Sequence, residues 1–117
     1  MLAWGTPGGD GQDQWSLQFL LSHLDFGLNL QEAIDAPAFT STHFPSSFYP
    51  RLAEPGHVEI ESRAGQGVIE GLRARGHDVG IAQPWSIGRL SAVSRSPDGT
   101  LRAAANPRGM QGYAVGR

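Results

Sequence analysis

The 117-residue chain contains no cysteine and no lysine. The first absence excludes a disulfide framework, a thiolate nucleophile and any cysteine-ligated zinc site, and it leaves the redox compartment and the localisation unread. The second makes all nine basic residues arginine, so no side chain can form a Schiff base or act as the cation of a phosphate loop. No apolar run approaches the roughly 20 residues of a membrane span. Residues 1–11 also lack the basic start and apolar middle of a signal peptide, so the expectation is a soluble chain with no membrane-spanning segment. A formal net charge of −2 and a sequence pI of about 6.0 give no basic footprint for nucleic acid or an anionic membrane. Leu, Ile, Val and Phe number only 26 of 117 residues. The core is therefore modest, and the length suits a single domain over 1–117.

Glycine is what the chain has in excess, 16 residues and roughly twice the average usage. The densest stretch is "GTPGGDGQDQW", residues 5–15. From Gln12 to Leu24 the apolar positions Leu17, Leu20, Leu21 and Leu24, joined by Trp15 and Phe19, recur at helical spacing and predict a helix over 12–24 with one buried face. Gly27 suits a left-handed cap. Asn29 stands three residues before Glu32, a capping-box pattern that opens a second helix over 30–36, stopped by Pro37. "AFTSTHF", residues 38–44, suits an extended segment, and His57–Glu61 alternates as a strand. Ser62 supplies a cap for a third helix over 63–75, with Gly76 following it. Asp78–Ala82 reads as a strand. Leu90–Arg95 and Thr100–Ala105, joined by Ser96-Pro97-Asp98-Gly99, read as a β-hairpin over 90–105. A closing turn and a short strand over Tyr113–Val115 complete an α+β chain.

Taken alone, the glycine loop has three readings: a phosphate cradle, an oxyanion hole, or a turn that launches a helix. It lacks the Gly-Lys-Ser/Thr ending of a phosphate loop, and no strand pattern precedes it. His23, His43, His57 and His77 are scattered with no i,i+4 pair, so no metal or cofactor site is assigned. Thr6, Ser46, Ser47 and Ser91 offer hydroxyls without a nucleophile signature. Glu59 and Glu61 fall on one side of a strand, while Asp10 and Asp13 sit where they complement a helix dipole. Trp4, Trp15 and Trp85 are candidates for a ligand platform or for buried packing.

Four blocks taken in order, "GTPGG", "LDFGLNLQEAIDAPAF", "LRARGHDV" and "AAANPRGMQGYAVG", closely resemble the C-terminal part of the γ-glutamyltranspeptidase small subunit, from about Gly5 to the end. The resemblance implies part of an αββα sandwich of the N-terminal nucleophile hydrolases. In that family a precursor cleaves itself, and the Thr at the new N-terminus attacks a γ-glutamyl amide. Backbone amides of a Gly-Gly pair then stabilise the oxyanion, and that pair matches Gly8 and Gly9.

The nucleophile and the groups that hold the substrate lie upstream in the family, so this chain lacks the first and no substrate-binding residue is assigned. Thr6, preceded by Gly5, is not the nucleophile. Asp10 replaces the family's usual Ser, which leaves the acyl group open. The resemblance implies a hydrolase or acyltransferase fragment, acting on glutathione or another γ-glutamyl amide and inactive alone. Its implied partners are a large subunit and the N-terminal part of the small subunit. A non-catalytic binding or oligomerisation module derived from the family, or a segment of a related acylase, is the alternative. Unpaired strand edges and apolar faces would make the isolated chain a homo-oligomer.

Overall fold

In a computed structural model, described for residues 1–108 and 112–115, the backbone separates into two compact units. One comprises residues 1–36 with the segment from Gly88 onward, and the other Pro37–Ile87.

The first unit contains strand β1 (Leu2–Gly5), a 3-10 turn over Gly9–Gly11, helices α1 (Gln12–Leu24) and α2 (Leu30–Asp35), and strands β5 (Ser91–Arg95) and β6 (Leu101–Ala105). Its sheet has the order β1-β5-β6, antiparallel throughout, with Trp4 opposite Ala92 and Ala92 opposite Ala104. Residues opposite one another share a face. That face, carrying Leu2, Ala92 and Ala104, packs with Phe19 of α1 and with Leu30, Ala33 and Ile34 of α2. The hairpin turn forms as its residues require. Ser96 N–H donates to Thr100 O at 2.9 Å, Gly99 takes φ 88°, and Asp98 Oδ1 accepts from Thr100 N–H at 2.9 Å.

Three of the expectations for this unit need correction. β1 does precede the glycine loop, although its four residues gave no readable alternation; its antiparallel pairing with β5 still differs from the parallel strand of a dinucleotide site. In α1 the buried side is that of Phe19, with Trp15 half-buried beside it, while Leu17, Leu21 and Leu24 stay exposed on the opposite side. Residues 113–115 form no strand, and the closing turn falls on residues of which 109–111 lie outside those described. Helix α2 starts on the expected capping box and ends at Asp35, one residue short of the expected bound: Glu32 N–H donates to Asn29 Oδ1 at 3.0 Å, and Asn29 N–H to Glu32 Oε2 at 2.8 Å.

The second unit contains β2 (Phe39–Ser41), β3 (His57–Glu61), a 3-10 turn over Ser62–Ala64, α3 (Gln66–Ala74) and β4 (Asp78–Ala82). β3 pairs antiparallel with β2 and parallel with β4, and the parallel pair is joined through α3. Ile60, Ile69 and Val79 form its core, with Ala64 and Leu72 against them. The helix expected over 63–75 is split, because Gly65 adopts φ 86° and ψ 151°, which no helix contains, and α3 proper starts at Gln66. Gly76, at φ 91°, follows the helix as anticipated.

Candidate functional site

β1 delivers the chain to Thr6, whose Oγ1 accepts from Arg89 N–H at 3.2 Å and donates to Pro7 O at 2.9 Å. The hydroxyl is thus committed to holding the loop entrance against the segment that leads into β5. Beyond Pro7 the backbone enters the positive-φ region that favours glycine, with φ 141° at Gly8 and 55° at Gly9. Gly11 N–H donates to Gly8 O at 3.1 Å, and Gln12 N–H closes onto Gly9 O, so the turn runs directly into α1. First-turn amides have no acceptor within their own helix. Those of Gly8 and Gly9 stand ahead of the hydrogen-bonded ladder, on two exposed residues.

One side chain fixes this geometry. The indole of Trp15 occupies the space that a Cβ on Gly8 or Gly11 would need, and it reaches to within 3.3 Å of the Cβ position of Gly88. Three glycines make the bed of one ring. Asp10 and Asp13 lie in the first turns, where a carboxylate complements the helix dipole.

The remaining candidates separate. His23 Nδ1 contacts Leu28 O at 2.7 Å, His43 Nδ1 accepts from Gly56 N–H at 2.9 Å, and His57 Nδ1 pairs with Asp78 Oδ2 at 2.8 Å. The hydrogen bond to Asp78 raises the His57 pKa above its usual 6.5. Among the described residues no three His, Asp or Glu side chains form a group that could hold a metal ion. Ser46 Oγ accepts from Phe48 N–H at 3.1 Å, Ser47 lies in the same loop, and Ser91 sits in the sheet between Gly5 and Ala105. The tryptophans do separate work: Trp4 lies 5.8 Å from the Phe19 ring, Trp15 packs on the glycines, and Trp85 carries the Arg63 guanidinium at 3.2 Å.

Two groups went unrecognised in the sequence. Glu59 is exposed, but Glu61 is completely buried. Glu61 Oε1 accepts from Ser86 N–H at 2.9 Å and Ile87 N–H at 3.1 Å, and Oε2 from Ala38 N–H at 3.3 Å and Arg63 Nη1 at 3.2 Å. Arg108 is equally hidden, its guanidinium donating to Ile34 O at 2.7 Å and Ala36 O at 2.9 Å at the C-terminal end of α2. Neither role has a local signal, because every one of these partners except Arg63 is distant in sequence.

The profile of the γ-glutamyltranspeptidase family matches residues 1–116. This chain belongs to the γ-glutamyltranspeptidase family. Among curated members it is 30% identical to the glutathione hydrolase-like YwrD proenzyme of Bacillus subtilis, over 98% of this chain and 21% of that protein. It is 33% identical to the acylase ACY 1 proenzyme of Pseudomonas sp., over 88% of the chain and 16% of the relative. The chain thus spans about a sixth to a fifth of the length of these curated relatives. Among solved structures, LmbA2991HD is 56% identical at a TM-score of 0.93, covering 99% of this chain and 21% of that one. γ-Glutamyltranspeptidase from Pseudomonas nitroreducens gives a TM-score of 0.74 at 24% identity, over 99% of this chain and 55% of its own. The fold is that of the N-terminal nucleophile hydrolases in this family, α+β with two sheets. No helix among the described residues is long and apolar enough to cross a membrane.

Proposed function

We propose that this chain is the C-terminal segment of a γ-glutamyltranspeptidase-like hydrolase or acyltransferase, in which the amides of Gly8 and Gly9 stabilise the tetrahedral oxyanion. The observation that carries the reading is their position: two exposed glycines at positive φ, ahead of a helical ladder, braced by Trp15. Donors fixed before the reaction lose no free energy to reorientation as charge develops, and each contributes about 3–4 kcal/mol to the barrier reduction. The nucleophile, a Thr exposed by autocleavage, and the groups that grip the substrate belong to the part of the protein upstream of this chain. Thr6 has its hydroxyl engaged by Arg89 and Pro7, which supports a positioning role. The parent protein cleaves γ-glutamyl amides such as glutathione through an acyl-enzyme. The isolated chain, incubated with a chromogenic γ-glutamyl anilide, yields no product; turnover that persists in Thr6→Ala contradicts the reading.

A second reading, of an acylase with a different acyl group, is favoured by Asp10 directly after the glycine pair. Relatives of comparable identity also bear the names acylase and oxamate amidohydrolase. Glutaryl, oxamoyl and γ-glutamyl amides offered to the full-length protein distinguish the two.

A further inference from the structure

Residues 42–56 join β2 to β3 through a loop longer than most connections in small domains, and such loops are usually functional or disordered. This one is ordered by its own hydrogen bonds. Glu54 N–H donates to Thr42 O at 2.8 Å, Thr42 Oγ1 to Glu54 Oε2 at 2.7 Å, and Gly56 N–H to His43 Nδ1 at 2.9 Å. Further out, Ser46 N–H donates to Leu52 O at 2.9 Å and Arg51 N–H to Phe48 O at 2.7 Å, so the closure continues to the tip. The tip carries Phe44, Phe48, Tyr49 and Leu52 at 80, 64, 96 and 72% exposure.

Large apolar side chains gathered at one exposed place mark an interaction surface. Phe, Tyr and Arg are the types enriched at such surfaces, and Arg51 is the one charge between His43 and Ala53. We propose that this tip is a plug that inserts into an apolar socket, rimmed by acceptors for Arg51, on the part of the same protein lying outside these 117 residues. The occupant follows from length. A structure that matches 99% of this chain at a TM-score of 0.93 devotes only 21% of its own chain to the match, so about four-fifths of a protein so built lies beyond it. Burying four such side chains covers on the order of 600 Å², the lower end of interfaces between domains of one chain. The inference rests on the fragment reading above but not on the oxyanion assignment.

Because the chain has no cysteine, Tyr49→Cys introduces a reporter at a fully solvated position, where no effect on folding is expected. Asp98→Cys, in the exposed hairpin turn, serves as control. Maleimide labelling of each site in the full-length protein, read by peptide mass spectrometry, is compared between the native and the urea-denatured states. The plug predicts labelling at Tyr49→Cys at least tenfold slower in the native protein, with the control changed less than twofold. Equal rates overturn the proposal even where the full-length enzyme turns over substrate. Protection that vanishes on dilution overturns it in favour of a second copy as occupant. If no longer polypeptide carries the chain, this proposal and the fragment reading fall together, whereas protection in a protein inactive toward every acyl donor removes only the reading of the reaction.

Discussion

The indole of Trp15 fills the volume that any side chain on Gly8 would occupy, and Gly8 itself adopts φ 141°. A methyl group there meets both a steric and a conformational penalty. Gly8→Ala keeps the amide but pushes the loop away from Trp15, and in the full-length protein it is expected to lower kcat by roughly 100-fold, as a misplaced oxyanion donor does. Trp15→Ala leaves the glycines unbraced and destabilises the first unit by roughly 3 kcal/mol. Steady-state kinetics and urea unfolding check the two effects separately.

Glu61 predicts a different kind of damage. Its carboxylate accepts four donors from three segments of the second unit while fully buried. Glu61→Ala takes the shared acceptor from three backbone amides and from Arg63 Nη1, at a cost of about 3–5 kcal/mol, a large share of a typical domain's 5–15 kcal/mol. Equilibrium denaturation monitored by tryptophan fluorescence should show the midpoint fall. An unchanged midpoint would mean that the network contributes nothing.

The exposed stripe Leu17, Leu21 and Leu24 lies opposite the buried side of α1. A helix apolar on both sides is made for a larger environment than this chain supplies. The isolated chain is expected to self-associate, and Leu17→Glu with Leu21→Glu should shift sedimentation toward monomer without altering the helical signal.

His57 makes stability depend on pH. Its folded pKa is raised by the hydrogen bond to Asp78, with Glu54 and Glu59 adding to the attraction. The folded state therefore binds the proton more tightly than the unfolded chain, and the stabilisation is complete below the ordinary imidazole value of 6.5. It is lost as pH rises through the raised folded pKa. Asp98 runs the other way: the Thr100 amide lowers its pKa, so its contribution is present above the usual 3.8 and disappears as pH falls through the lowered value. An NMR titration of the His57 ring reads the first effect directly, and Asp78→Asn should return the midpoint toward 6.5.

What the sequence made legible was local. Asn29 and Glu32 recognise each other across one turn, Gly27 and Gly76 end helices at positive φ, and the Ser96–Gly99 turn closes on itself. What it hid depended on distant partners. β1 gains its identity only by pairing with β5, and α1 chooses its Phe19 side because α2 and the sheet lie there. The interruption at Gly65 opposes an unbroken helical pattern with one backbone angle. For the candidate site, family resemblance singled out Gly8 and Gly9, whereas composition left three readings open. Trp15 showed no sign of its role, because its glycine bed is drawn partly from Gly88.

The oxyanion assignment concerns two N–H groups, and it is tested most sharply by removing one of them while every side chain is kept. Semisynthesis of the full-length protein with an ester in place of the amide at Gly9 replaces the N–H with an oxygen and keeps every side chain. If the Gly9 amide is an oxyanion donor, kcat falls by about 100- to 1000-fold with KM little changed, the mark of a donor used mainly in the transition state. An ester variant that turns over its acyl donor at the unmodified rate would contradict the assignment.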